Sequence, residues 1–97
     1  MVDKVFEAIE KVLGVTREEI RSKKRHADIV EARHILCYLL WKQGLVEREI
    51  GLEVCKDTSS VHYALVTMIN LKDKSKIEKV RNEQERAIWE DGHSKDQ

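Results

Sequence analysis

Two short stretches of this sequence carry side chains suited to binding a phosphate polymer. Residues 22–25 read Ser-Lys-Lys-Arg, and residues 56–60 read Lys-Asp-Thr-Ser-Ser. Lysine and arginine neutralise phosphates, hydroxyl side chains bond phosphate oxygens or base edges, and an arginine at a loop tip can enter the narrow minor groove of DNA. Taken alone, the first stretch also fits a solvated charge run, and the second fits plain helix capping.

The second stretch opens a helix that the apolar pattern predicts over residues 57–70. Asp57 is an oxygen-bearing residue ahead of an apolar run, so it can cap the free amides of a first turn. Apolar residues then recur at helical spacing, at Val61, Ala64, Leu65, Met68 and Ile69. The opposite face is predicted to carry Ser59, Ser60, His62, Tyr63, Val66 and Thr67.

A shorter helix is predicted just upstream, from Glu47 to Leu52, with Ile50 buried and a tight turn after it. Two short helices joined by such a turn are the helix-turn-helix pattern, in which the second helix lies in the major groove of double-stranded DNA. The pattern therefore predicts duplex-DNA binding.

The rest of the chain also predicts helices, so we expect an all-α fold. A helix over residues 3–13 is ended by Gly14, and Thr16 with Glu19 forms a capping box that opens a short helix. The longest helix starts near Asp28, is apolar on most sides and ends at Gly44, so it should be the centre of a small helical bundle.

A charged helix is predicted over residues 75–90, opened by a second capping box between Ser75 and Glu78. Its thin apolar stripe of Ile77, Val80 and Ile88 is enough to lean on a core. We therefore divide the chain into a helix-turn-helix domain at 1–72 and a charged helix with a polar tail at 73–97.

Composition limits both the size and the charge of any binding surface. The 97 residues, 41% of them hydrophobic and none of them proline, have room for one modest core. Basic and acidic residues number 18 each, whereas a DNA-binding domain is usually basic. Between residues 21 and 42, however, six basic side chains stand against two acidic ones. A DNA-binding surface must therefore be local.

Other function classes find little support in the sequence. No nucleophile, base or carboxylate pair is spaced for catalysis, so we expect no enzyme. Cys37 and Cys55 are expected to be reduced thiols, and we expect no metal or cofactor. Apolar runs fall short of the ~20 residues that a bilayer span requires, and the first residues are not a signal peptide, so a cytoplasmic protein without a membrane partner is expected.

Four segments together resemble a known family. They are Ser22-Lys23-Lys24-Arg25, Glu31-Ala32-Arg33-His34, Glu49-Ile50-Gly51, and Lys56-Asp57-Thr58-Ser59-Ser60-Val61 with Ala64 three positions later. The order is similar to the C-terminal duplex-DNA-binding domain of the bacterial replication initiator DnaA, with its Ser-Lys-Arg-Arg loop, its Ala/Pro-Arg-Gln helix start, its Glu-Ile-Gly and its Arg-Asp-His-Thr-Thr-Val run. The resemblance covers about residues 5–71.

The resemblance implies roles for individual residues. Arg25 falls at the family's minor-groove arginine and Arg33 at an arginine directed at DNA, while Lys56 matches a residue expected to contact phosphate. The residues from Asp57 to Ser60 match those that read bases. The candidate DNA-binding residues are Lys23, Lys24, Arg25, Arg33, Lys56, Asp57, Thr58, Ser59, Ser60 and His62. The sequence has no phosphate-binding loop of the ATPase type, so the initiator's ATPase module is absent from it. We expect either a stand-alone protein from a bacterium, a phage or a mobile element, or a fragment of a longer chain.

Departures from the family pattern support an alternative function. Thr58 replaces the family's histidine, Trp41 stands where a basic residue is common, and Val66 and Thr67 replace two basic residues. These changes predict weaker or altered sequence preference. The alternative is a protein–protein interaction domain that kept the fold and lost its DNA affinity, with a homodimer formed through the recognition-helix face or the C-terminal helix.

Overall fold

The structure is a computed structural model that describes residues 2–94, with side chains as far as Trp89. Six helices form the described part of the chain: α1 (Val2–Leu13), α2 (Arg17–Arg21), α3 (Ala27–Lys42), α4 (Glu47–Val54), α5 (Thr58–Ile69) and α6 (Ser75–Ser94). The predicted all-α class is confirmed. Among the described residues, none of the helices combines the length and the apolar character needed to span a membrane.

Helix α3 is the centre of the bundle, as its all-round apolar sequence predicts. It contacts each of the other five helices. Its buried apolar residues are Ile29, Ala32, Ile35, Leu36, Cys37, Leu39 and Leu40. Burial on so many sides fixes the rotation of α3, and this rotation decides where its polar side chains point.

The local signals predicted at the ends of α1 and α3 and at the start of α2 are confirmed. Gly14 and Gly44 adopt positive φ values of 73° and 105°, the left-handed region that ends a helix at low cost only for glycine. At the start of α2, the Glu19 amide donates to Thr16 Oγ1 at 3.2 Å and the Thr16 amide donates to Glu19 Oε1 at 3.0 Å, which completes the predicted capping box.

The helix-turn-helix is formed by α4 and α5, with α4 extending to Val54, two residues beyond the prediction. Four of the five predicted core residues of α5 are buried. The fifth, Ile69, is 46% exposed, so its predicted burial is wrong. It follows Val61 by eight positions, which rotates it about 80° from Val61 to the edge of the buried face.

Helix α6 differs from the prediction at both ends. Ser75 is its first helical residue, and its amide donates to Asp73 Oδ1 at 3.0 Å, so the capping box predicted between Ser75 and Glu78 is wrong. The helix continues to Ser94, past its predicted end, and residues 95–97 of the predicted tail lie outside the described part. Ile77 and Val80 join the core cluster, packed mainly on α1. The division at residue 72 stays a prediction.

The turn between α4 and α5 depends on a glycine within α4. Cys55 ends α4 in the left-handed conformation, with φ of 58°, and the Lys56 amide donates to the Gly51 carbonyl at 3.0 Å. A Cβ atom at Gly51 would lie 2.7 Å from the Lys56 carbonyl oxygen. The turn can therefore pack this closely on α4 because Gly51 has no side chain.

We expect Gly51→Ala to lower the free energy of unfolding by about 1–2 kcal/mol. A Cβ atom 2.7 Å from a backbone oxygen puts the overpacking cost in the upper part of the typical range of about 1–3 kcal/mol, and the gain in helix propensity offsets only ~1 kcal/mol of it. Urea unfolding followed by circular dichroism measures the change. Leu52→Ala, at a side chain 73% exposed in the same helix, is the control and should stay within about 0.5 kcal/mol of the parent. A Gly51→Ala protein as stable as the parent would show that the turn moves freely.

Candidate nucleic-acid interface

The cationic loop between α2 and α3, residues 22–26, is held by hydrogen bonds of Ser22. The Ser22 hydroxyl donates to the Glu19 carbonyl at 2.6 Å and accepts from the Lys24 amide at 3.2 Å. Lys23, Lys24 and Arg25 are all exposed. The loop therefore has a defined backbone and presents three cationic side chains to solvent, as the sequence predicts.

Arg33 lies beneath this loop and is 8% exposed. Its Nε donates to the Ile20 carbonyl at 2.7 Å, and its Nη2 lies 3.1 Å from the Ser22 carbonyl, 3.3 Å from that of Lys24 and 3.4 Å from that of Glu19. Burial lowers the pKa of the Arg33 guanidinium. Its Nε and Nη2 thus donate to the protein's own backbone, and its expected role as an arginine directed at DNA stays a prediction.

Lys56 joins the loop to the start of α5. Its Nζ donates to the Ser22 carbonyl at 2.7 Å and to the Cys55 carbonyl at 3.4 Å. Burial, followed by the positive charge of Arg33, lowers the pKa of Lys56. Lys56, for which a phosphate contact is expected, therefore also donates hydrogen bonds to backbone carbonyls of the protein itself.

The first turn of α5 presents a polar tip. Asp57 caps the helix by accepting from the Ser60 amide at 2.8 Å, and this hydrogen bonding lowers the pKa of Asp57. Thr58, Ser59 and Ser60 are exposed beside it. The tip therefore offers one carboxylate and three hydroxyls to a ligand.

The loop and the tip lie on the same side of the molecule, around one concave surface that we call the basic groove. Its volume is about 500 Å³. It is lined by Arg25, Val30, Arg33, His34, Lys56, Asp57, Ser59, Ser60 and Tyr63. An adjoining concavity of about 330 Å³ adds Lys23 and Cys55. Two clusters that are separated by about thirty positions in the sequence thus share one surface.

His62 lies outside the residues that line the basic groove. Its Nδ1 is 3.0 Å from Glu47 Oε2, so the exposed imidazole pairs with the first residue of α4. This contact braces α4 against α5. Lys24 and Thr58 are likewise absent from the lining, so seven of the ten predicted site residues line the groove or the adjoining concavity.

Two aromatic side chains of the groove were absent from the predicted site. His34, half-buried on α3, and Tyr63, exposed on α5, meet edge to face with ring centroids 5.9 Å apart. Burial, followed by the positive charge of Arg33, lowers the pKa of His34, which favours the neutral form of its imidazole. The sequence signal was available, since His34 follows Arg33 directly and Tyr63 lies on the predicted outer face of α5.

One known protein family matches the part of the chain that contains helices α1 to α5. A family model described as the bacterial dnaA protein helix-turn-helix matches residues 2–68. The match runs from the start of α1 nearly to the end of α5 and includes the loop, Arg33 and the polar tip. No curated protein matches the chain.

The capping carboxylate predicts a pH effect on stability. Because the folded pKa of Asp57 is lowered from 3.8, its stabilising contribution is present above that value and is lost as the pH falls through the folded pKa. Asp57→Asn keeps a capping oxygen but does not titrate. Between pH 7 and pH 3 the melting temperature should therefore fall further in the parent than in Asp57→Asn. Equal falls would mean that the cap gains nothing from its charge.

Proposed function

The chain belongs to the bacterial DnaA helix-turn-helix family, a family of DNA-binding domains, and on that basis we propose that it binds double-stranded DNA through the basic groove. Helix α5 lies in the major groove, and the loop at residues 22–26 reaches the adjacent minor groove. The observation that carries this proposal is the convergence of the cationic loop and the polar tip of α5 on one surface.

The chemistry of the two clusters divides the work of binding. Lys23, Lys24 and Arg25 supply exposed positive charge for phosphates and for the electronegative minor groove. Thr58, Ser59 and Ser60 supply short hydroxyls at the start of a helix, suited to base edges and phosphate oxygens. The first cluster accounts for affinity and the second for sequence preference.

The zero net charge of the chain shapes this activity. Since acidic side chains elsewhere balance the loop, long-range attraction to DNA is weak and binding depends on close contacts at the groove. Family membership supports a role in DNA replication initiation or its regulation, and a mobile element is the other setting we propose.

A second function, protein–protein interaction, is favoured by apolar side chains left open on the outer face of α5. The side chain of Tyr63 is 66% exposed and that of Val66 is 42% exposed. At positions 66 and 67, where this chain has Val66 and Thr67, the family pattern has basic residues. Multi-angle light scattering separates the two functions. A dimer that buries Val66 covers the recognition helix and supports interaction, whereas a monomer leaves the helix open to DNA.

Arg25→Ala should weaken duplex binding about tenfold and reduce the slope of log affinity against log salt concentration by about 1, because one cationic contact is lost. A gel-shift titration at two or more salt concentrations measures both effects. Arg81→Ala, which removes an exposed cation on α6, is the matched control and should leave affinity and slope unchanged. Identical behaviour of the two variants would overturn the proposed docking.

Selection of bound duplexes from a random pool tests the proposed base readout. We expect the parent to enrich a motif, and the double change Ser59→Ala with Ser60→Ala to relax the preference at specific positions while keeping most of the affinity, since a mismatched contact costs about 1–3 kcal/mol. Absence of any enriched motif at low salt would favour the interaction function.

A further inference from the structure

The carbonyl oxygen of Ser22 accepts hydrogen bonds from two cationic side chains, one on α3 and one in the turn between α4 and α5. Arg33 Nη2 approaches it from α3 at 3.1 Å, and Lys56 Nζ approaches it from the start of α5 at 2.7 Å. Ser22 is the first residue after α2 and the first of the cationic loop. One backbone atom therefore joins the loop to both α3 and the recognition helix.

Arg33 reaches further along the same segment. Its guanidinium also contacts the carbonyls of Ile20 and Lys24, so that it spans the end of α2 and the middle of the loop. These carbonyls face the buried Arg33 side chain, while the side chains of Lys23 and Arg25 are exposed. A planar guanidinium suits this arrangement because it holds several donors in fixed directions.

We propose that Arg33, Lys56 and the Ser22 carbonyl form a clamp that fixes the minor-groove loop relative to α5, which makes Arg33 a positioning residue for DNA binding. The inference rests on the proposed function, since the clamp matters only if loop and helix engage one duplex. Neighbouring grooves of DNA lie at a set spacing, so a loop held at that spacing before binding avoids the entropic cost of ordering.

The clamp predicts how the effects of substituting Arg33 and Arg25 on duplex affinity combine. If Arg33 acts by positioning the loop, its loss removes part of what Arg25 contributes. If Arg33 contacts DNA by itself, the two losses are independent and their effects multiply. Arg33→Lys is the informative change, because it retains the charge and loses the planar set of donors.

The experiment is a double-mutant cycle on the full chain, with duplex affinity measured for the parent, Arg25→Ala, Arg33→Lys and the double variant. We expect Arg25→Ala to cost about tenfold in the parent and less than about threefold in the Arg33→Lys background. An equal cost in both backgrounds would overturn the clamp.

A measurement without DNA separates failure of the clamp from failure of the proposed function. Backbone ¹⁵N relaxation of the free protein should show residues 22–25 near the rigid order parameter of ~0.85 in the parent and below about 0.6 in Arg33→Lys, with α1 unchanged. Equal rigidity of the loop in both proteins would overturn the clamp, whether or not the parent binds DNA. A parent with a rigid loop and no duplex affinity would instead overturn the proposed function.

A second variant covers the case in which Arg33→Lys fails to fold. Lys56→Met keeps an unbranched side chain but removes the positive charge and the hydrogen bonds to Ser22 and Cys55, at a site less buried than Arg33. It should mobilise the same loop residues, and Lys24→Ala, which removes an exposed cation without breaking these bonds, should not. The reverse ranking would refute the assignment.

Discussion

The proposed DNA-binding surface depends on the hydrogen bonds that the carbonyl oxygen of Ser22 accepts from Arg33 and Lys56. Two positive side chains bond one oxygen, so charge repulsion between Arg33 and Lys56 is offset by a shared acceptor and by the other carbonyls around them. The backbone that faces inward is thereby satisfied, and the cationic side chains of the loop face outward. The run of basic residues at 22–25 has a defined conformation because Arg33 and Lys56 donate hydrogen bonds to its backbone carbonyls.

This arrangement also explains how a chain without net charge can offer a surface for DNA. Positive charge is gathered where the loop at residues 22–26 meets α3 and the turn before α5, while pairs such as Lys11 with Glu83 and Lys76 with Glu31 neutralise charge along α6. The distribution favours short-range contact over steering from a distance. The apolar side chains left open on α5, Tyr63 and Val66, border this surface and keep protein interaction as the competing function.

Backbone geometry, in addition to side-chain packing, fixes α4 and α5 of the helix-turn-helix relative to each other. Gly51 lets the chain close over α4, Cys55 turns it in the left-handed conformation, and Asp57 starts the next helix. An exposed contact between His62 and Glu47 adds a link between α4 and α5 on the outer side. Helix α6 lies beyond the family match and packs on α1, away from this turn.

The sequence determined the features that depend on neighbours a few positions apart: the caps at Thr16 and Asp57, the glycines that end α1 and α3, and the buried stripe of α5. Such signals are local because a cap or a turn is decided within about one helical turn. Only the tertiary structure decided that Arg33 is buried and that Lys56 bonds Ser22, since their partners lie 11 and 34 positions away. The family motif by itself does not show that Arg33 bonds backbone carbonyls of its own chain, because that contact depends on how α3 packs against the preceding segment.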